Sequence, residues 1–216
     1  MGFCSISPLA GLGKPNKKKI ISRVDAYHGA TYVAAGLTGR ALVVVDEAYL
    51  EFSPDGSAVS LIDRLPNVVV LKTLSKAWGL AGARIGFLIG DPALAGFLHA
   101  VRAPYPISAA AARVAESIFN ARGETRMRLS VASILSERDR LTTALQGLPC
   151  VTEVIPSEAN FLIARFRDKE AALAALRARG IVVRDRSAER GLAGGVRISV
   201  GEPAENSRLL DVLETL

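Results

Sequence analysis

Hydrophobic and polar positions divide the chain into stretches of different period. Residues 1–16 have no period: Pro8, Gly11, Gly13 and Pro15 interrupt every window, which predicts loop. From Ala41 onward three short, continuously apolar runs appear, ALVVV at 41–45, NVVVLKT at 67–73 and RIGFLIG at 84–90. Runs of this length and β-branched content suit strands buried on both faces of a sheet. Pro92 opens a helix predicted over 92–102, where a proline fits the first turn, and an Ala-rich helix is predicted over 109–121. Met127, Val131, Ile134, Leu135, Leu141 and Leu145 then recur on one helical face, and Gly147 and Pro149 close that helix.

After Pro149 the pattern shortens. Strands are predicted at 151–155, 159–166, 181–184 and 196–200, with a helix at 169–179 stopped by Gly180. A last helix, 204–215, carries Leu209, Leu213 and Leu216 on one stripe. The expected organisation is therefore a loop-rich segment at 1–40, a sheet-bearing lobe at 41–121, and a linking helix with a small α+β lobe at 122–216. The overall class is α/β, with strands and helices alternating as a mostly parallel sheet requires. No internal repeat is visible.

Composition narrows the function classes. Of 216 residues 50% are apolar and 22% charged, enough aliphatic material for a sizeable core and unlike a disordered chain. The 27 Lys and Arg against 21 Asp and Glu give a formal charge of +6. Apart from Lys14 and Lys17 to Lys19 the excess is scattered Arg, so no continuous polyanion track exists and no nucleic-acid partner is expected. Cys4 and Cys150 lie far apart without CxxC spacing, which indicates neither a disulfide framework nor a zinc site, and no metal is expected. No apolar run is long enough for a membrane helix and no secretory or myristoylation pattern opens the chain, so the expectation is a cytoplasmic protein with no membrane partner. GLGK at 11–14 is not a phosphate-binding P-loop, because the spacing fails and Pro15 follows Lys14.

Chemistry concentrates in two segments. In VVVDEAYLEF, Asp46 stands at the carboxyl end of an apolar strand with Tyr49 three residues on, and ligands of open α/β sheets gather at such strand ends. The same residues also suit a plainer role, Asp46 capping the next turn and Tyr49 packing half-buried. In VVVLKTLSKAWGLAGARIGFLIG, a strand is followed by Thr73, Ser75 and Lys76, and Arg84 immediately precedes the next strand. Hydroxyls and a guanidinium suit a phosphate dianion, and an amine in a cationic neighbourhood loses preference for its ammonium form, as a nucleophile requires. His99, between Leu98 and Ala100 in a helical stretch, reads as a surface or packing histidine.

DEAYLEF followed by TLSKAWGLAGARIG resembles the fold-type I, pyridoxal-phosphate-dependent aminotransferases of the class I and II group. With PYPIS at 104–108, SEANFLI at 157–163, and VRD followed by GGVRISVG, residues 41–216 are most similar to the histidinol-phosphate aminotransferase branch. That resemblance implies pyridoxal 5'-phosphate as cofactor, with Lys76 as the amine that attaches to its aldehyde and shuttles the proton. It implies Asp46 on the pyridine nitrogen, Tyr49 on the phenolic oxygen, and Thr73, Ser75 and Arg84 on the phosphate. Arg184 and Arg197 match the arginines that grip the anionic end of the substrate. Small-molecule partners follow, an amino donor such as histidinol phosphate and a 2-oxo acid such as 2-oxoglutarate, in a homodimer with its site at the interface.

The resemblance also sets expectations about what is missing. The family carries, ahead of the DEAY strand, a Gly-containing phosphate loop, a ring-stacking aromatic and an Asn in an NPNNPTG-like motif, and none of these is visible here. Residues 17–39, with RVDAYHGATYVAAGLTG, instead resemble a class III aminotransferase segment, in which Tyr27 would stack on the ring. The chain is thus expected to be the carboxyl-terminal portion of an aminotransferase joined at about 40 to a class III-like piece. Two alternatives stay open at this point: a catalytically incompetent remnant, and a related decarboxylase of a phosphorylated amino acid.

Overall fold

A computed structural model of the chain describes residues 41–216; the expectations for 1–40, including Tyr27 and the class III-like segment, lie outside the described residues. The chain divides after Met127 into two compact units.

In the first unit a three-stranded sheet has the order β1 (Val43–Asp46), β2 (Val68–Thr73), β3 (Gly86–Gly90). β1 and β2 are parallel, with Val43 opposite Val68 and Asp46 opposite Leu71. β2 and β3 are antiparallel, with Lys72 opposite Phe87 and Thr73 opposite Gly86. Strand alternation puts Val43, Val45, Val68 and Val70 on one face, where they pack with Ala58 and Leu61 of a short 3₁₀ turn, Ala58–Leu61, in the crossover. β1 and the first half of β2 are buried, as the apolar runs predict. β3 corrects that prediction: Gly86, Phe87 and Leu88 are exposed, although β1, which likewise has a single partner strand among the described residues, is buried, so an apolar run does not tell which strand is covered.

Two helices follow. Asp91 caps α1 (Pro92–Val101) by accepting the Ala93 amide, and Ser108 caps α2 (Ala109–Ile118) by accepting the Ala111 amide. His99 is exposed on α1. Helix α3 (Ala121–Gly147) is longer at its start than the apolar stripe predicts, because Asn120 accepts the Gly123 amide and begins a turn before the first apolar residue.

In the second unit a four-stranded antiparallel sheet has the order β4 (Val151–Ile155), β5 (Phe161–Phe166), β7 (Gly195–Ser199), β6 (Arg184–Asp185). Leu162, Ala164 and Phe166 alternate inward and meet Leu141 and Leu145 of α3, Ala172 and Leu176 of α4 (Lys169–Ala178), and Leu209, Leu210 and Leu213 of α5 (Pro203–Leu213). Gly180, at φ +71°, ends α4 in the left-handed conformation that side chains resist. A reciprocal capping box between Glu202 and Glu205 starts α5. Two expectations change here. The strand predicted at 181–184 shrinks to Arg184–Asp185, and Leu216, half exposed beyond the helix end, yields its place in the stripe to Leu210.

Candidate active site

The ends of β1 and β2 lie side by side because the strands are parallel, so their carboxyl ends open on the same edge of the sheet. Asp46 ends β1, half-buried, and its Oδ1 accepts the Ala48 amide at 3.0 Å. The plainer turn-capping role is therefore realised, and it orients the carboxyl group rather than consuming it. Three residues on, Tyr49 precedes a 3₁₀ turn, Leu50–Phe52, whose Phe52 is fully buried and anchors the loop.

β2 ends at Thr73. Its hydroxyl accepts the Ser75 amide at 3.1 Å and lies 2.9 Å from Ser75 Oγ and 3.2 Å from the Ile85 carbonyl, so a hydroxyl-bonded bend carries the chain to Lys76. The Lys76 ammonium stands 5.1 Å from the centre of the Tyr49 ring. Arg84 sits immediately before Ile85, with its guanidinium on the Ala81 carbonyl at 3.2 Å and its backbone at φ +55°. Two hydroxyls and a guanidinium, with no carboxylate bonded among them, form a donor set suited to a phosphate ester. The structure thus brings Asp46, Tyr49, Thr73, Ser75 and Lys76 to one edge of one sheet, and places Arg84 exposed at the approach to β3.

Arg184 and Arg197 belong to the second unit, where they stand directly opposite each other on β6 and β7. Like charges at facing positions repel unless an anion lies between them. The Arg197 guanidinium lies 4.1 Å above the Phe161 ring, and its Nε is buried without a hydrogen-bond partner among the described residues. The Asn160 Oδ1, next to Phe161, is buried and unpartnered in the same way. An unsatisfied buried donor is costly, so Arg197 Nε calls for an acceptor from outside the described residues.

Sequence reasoning missed one residue and one surface. Glu47, next to Asp46, is almost wholly buried and receives Lys72 Nζ at 2.9 Å, Ser57 Oγ at 2.7 Å and the Ala58 amide at 2.6 Å. The signal was available: alternation along VVVDE puts Glu47 on the inward face with Val43 and Val45, where a carboxylate needs partners. Trp78, Phe87 and Phe119 group together, with rings 4.7 Å and 6.2 Å apart, in the wall of a cavity of about 570 Å³ that also receives Glu51 and Lys72. Burial pushes the Glu51 carboxyl above its ordinary range, its own backbone and Lys72 opposing. These aromatics are scattered in sequence, and only the fold gathers them.

A family model, aminotransferase class I and II, matches residues 35–213. The chain belongs to that aminotransferase family. Among curated relatives, the histidinol-phosphate aminotransferase of Stenotrophomonas maltophilia is 46% identical over 181 residues, covering 84% of this chain and 50% of the relative. The chain spans about half the length of the curated relatives it matches. Among solved structures, the histidinol-phosphate aminotransferase from Clostridium acetobutylicum superposes with a TM-score of 0.82 at 21% identity, over 91% of this chain and 62% of that one. That of Sinorhizobium meliloti, in complex with pyridoxal-5'-phosphate, superposes with a TM-score of 0.74 at 26% identity, over 91% and 56%. The fold is that of these aminotransferases, and the α/β class expected from the sequence stands. No described helix is long and apolar enough to cross a membrane.

Proposed function

We propose that this aminotransferase chain carries the lysine-bearing part of a pyridoxal 5'-phosphate site and transfers the amino group of histidinol phosphate to 2-oxoglutarate. The approach of Lys76 to Tyr49 carries the reading: it brings an amine from beyond the end of β2 to an aromatic hydroxyl side chain three residues after Asp46, which ends the parallel strand β1. The donor set fits the cofactor. Thr73, Ser75 and Arg84 would hold its phosphate, Asp46 its pyridine nitrogen, and Tyr49 its phenolic oxygen. When bound, the cofactor supplies an electron sink for the bond broken at the substrate carbon.

The residues of this chain then have separable tasks. Asp46 would keep a proton on the cofactor's pyridine nitrogen. Lys76 Nζ would take the proton from the substrate carbon and, once protonated, give it up again, which is general acid–base work by a single amine. Arg84 and the two hydroxyls anchor the far end so that the reacting atoms stay aligned with Lys76. Arg197, with its unpartnered Nε and its guanidinium stacked on Phe161, and Arg184 opposite it receive the anionic end of the substrate. That anion is a phosphate in one half-reaction and a carboxylate in the other. A homodimer and a cytoplasmic location belong to the same reading.

The names of the curated relatives support the amino-transfer reading over the decarboxylase alternative. Incubating the purified chain with cofactor, histidinol phosphate and 2-oxoglutarate separates the outcomes. Glutamate formation lost in Lys76→Ala supports the proposal; carbon dioxide without glutamate, or no product at all, contradicts it.

A further inference from the structure

We infer that Glu47 is the positioning residue that fixes Asp46 and Tyr49 in register with the Thr73–Lys76 bend, an inference that rests on the cofactor reading above. Among the described residues β1 is a short strand that pairs with β2, and after Asp46 it keeps one more ladder bond, from the Glu47 amide to the Leu71 carbonyl at 2.9 Å. Beyond that point the backbone leaves the sheet. The Glu47 side chain holds it there with both oxygens: Oε1 accepts the Ala58 amide, and Oε2 accepts Ser57 Oγ and Lys72 Nζ.

These three bonds have different jobs. Those to Ser57 and Ala58 close the loop 47–58, which carries Tyr49, back onto its own start. That to Lys72 ties the loop to β2 one residue before Thr73, so the two segments that bear the candidate chemistry share one buried carboxylate. Side-chain alternation puts Glu47 on the opposite face from Asp46, so Glu47 acts on the site only through the backbone it holds. A buried carboxylate with a full set of partners is rigid and sharply placed, which suits a group that sets the position of its neighbour.

The test uses the full chain, labelled for amide hydrogen exchange by NMR, as parent, Glu47→Gln and Glu47→Ala, each also titrated with pyridoxal phosphate. The Ala48 amide, bonded to Asp46 Oδ1, reports the placement of Asp46 without any cofactor. Glu47→Gln keeps an acceptor and the side-chain length but not the ion pair. Its Ala48 exchange is expected to accelerate about tenfold, the scale of one lost hydrogen bond, with a larger change in Glu47→Ala and no change at Val69 and Val70. The cofactor concentration for half-saturation should rise in the same order. Should Glu47→Ala fail to fold, the Gln variant decides. Faster exchange confined to Ala58, or uniform acceleration that includes Val69 and Val70, would overturn the inference, since either reports loop closure or global stability alone. A parent with no Lys76-dependent cofactor signal would instead sink the cofactor reading and leave the exchange result to judge Glu47.

Discussion

Arg84 is the single described residue other than glycine with a positive φ, at +55°. For an L-residue that conformation costs about 1–2 kcal/mol, and it persists here because both neighbours hold it. Ile85 is buried, and its carbonyl accepts the Leu74 amide at 3.1 Å and lies within reach of the Thr73 hydroxyl. Glycine would relieve the strain while removing the guanidinium. Arg84→Gly is therefore expected to leave the thermal midpoint unchanged or slightly raised, yet to weaken pyridoxal phosphate binding about tenfold, as loss of a charge-assisted bond implies. A clear fall in midpoint with unaltered binding would make Arg84 a structural residue. At this scale the sequence was informative about Asp46, Tyr49, Thr73, Ser75, Lys76 and Arg84 because motif and strand end coincide. For Glu47 alternation pointed only to the inward face, and its partners Ser57, Ala58 and Lys72 are brought near only by the fold.

At the scale of elements, packing decides which apolar residues matter. Leu141 and Leu145 of α3 are fully buried in the second unit's core, whereas Leu129, earlier on the same helix, is 68% exposed. Leu141→Ala is expected to cost about 3 kcal/mol in denaturant unfolding, and Leu129→Ala close to nothing. Equal effects would mean that α3 does not bury the face described. Helix ends with a chemical signal were legible in the sequence: Gly180 stops α4 and Pro92 starts α1. Sheet position was not, as β3 shows. Its run of Phe87, Leu88 and Ile89 reads like a central strand, but coverage depends on neighbours that a local pattern does not encode.

Across the whole molecule, charge is distributed so that acid should act first on the second unit. Asp185 accepts the Ser187 hydroxyl and amide and the Lys169 ammonium, which together hold its carboxyl well below the usual range. Glu137 is lowered by its bonds from Arg140 and Asn206. A carboxyl whose folded-state pKa is depressed contributes stability above its unfolded value, and that contribution is lost as pH falls through the folded value. Stability should thus decline from about pH 4 downward. Asp185→Asn should flatten the decline and lower stability at neutral pH, as followed by thermal melts across the range; an unchanged acid profile would contradict the assignment. The division of the chain after Met127 lies inside α3, where a continuous helix leaves no linker or turn to read in the sequence. Coverage of the curated relatives bears on the same scale, since Lys76 and its neighbours lie within a match that spans about half of their length.

Lys76, Tyr49, Asp46 and the Thr73, Ser75 and Arg84 donors are proposed to form a cofactor seat in this chain. Its most direct test is the visible absorbance of the purified protein after addition of pyridoxal phosphate and removal of the excess, beside Lys76→Ala treated identically. A retained absorbance band in the parent, absent from the variant, is the expected result. No band in either protein, or the same band in both, would contradict it.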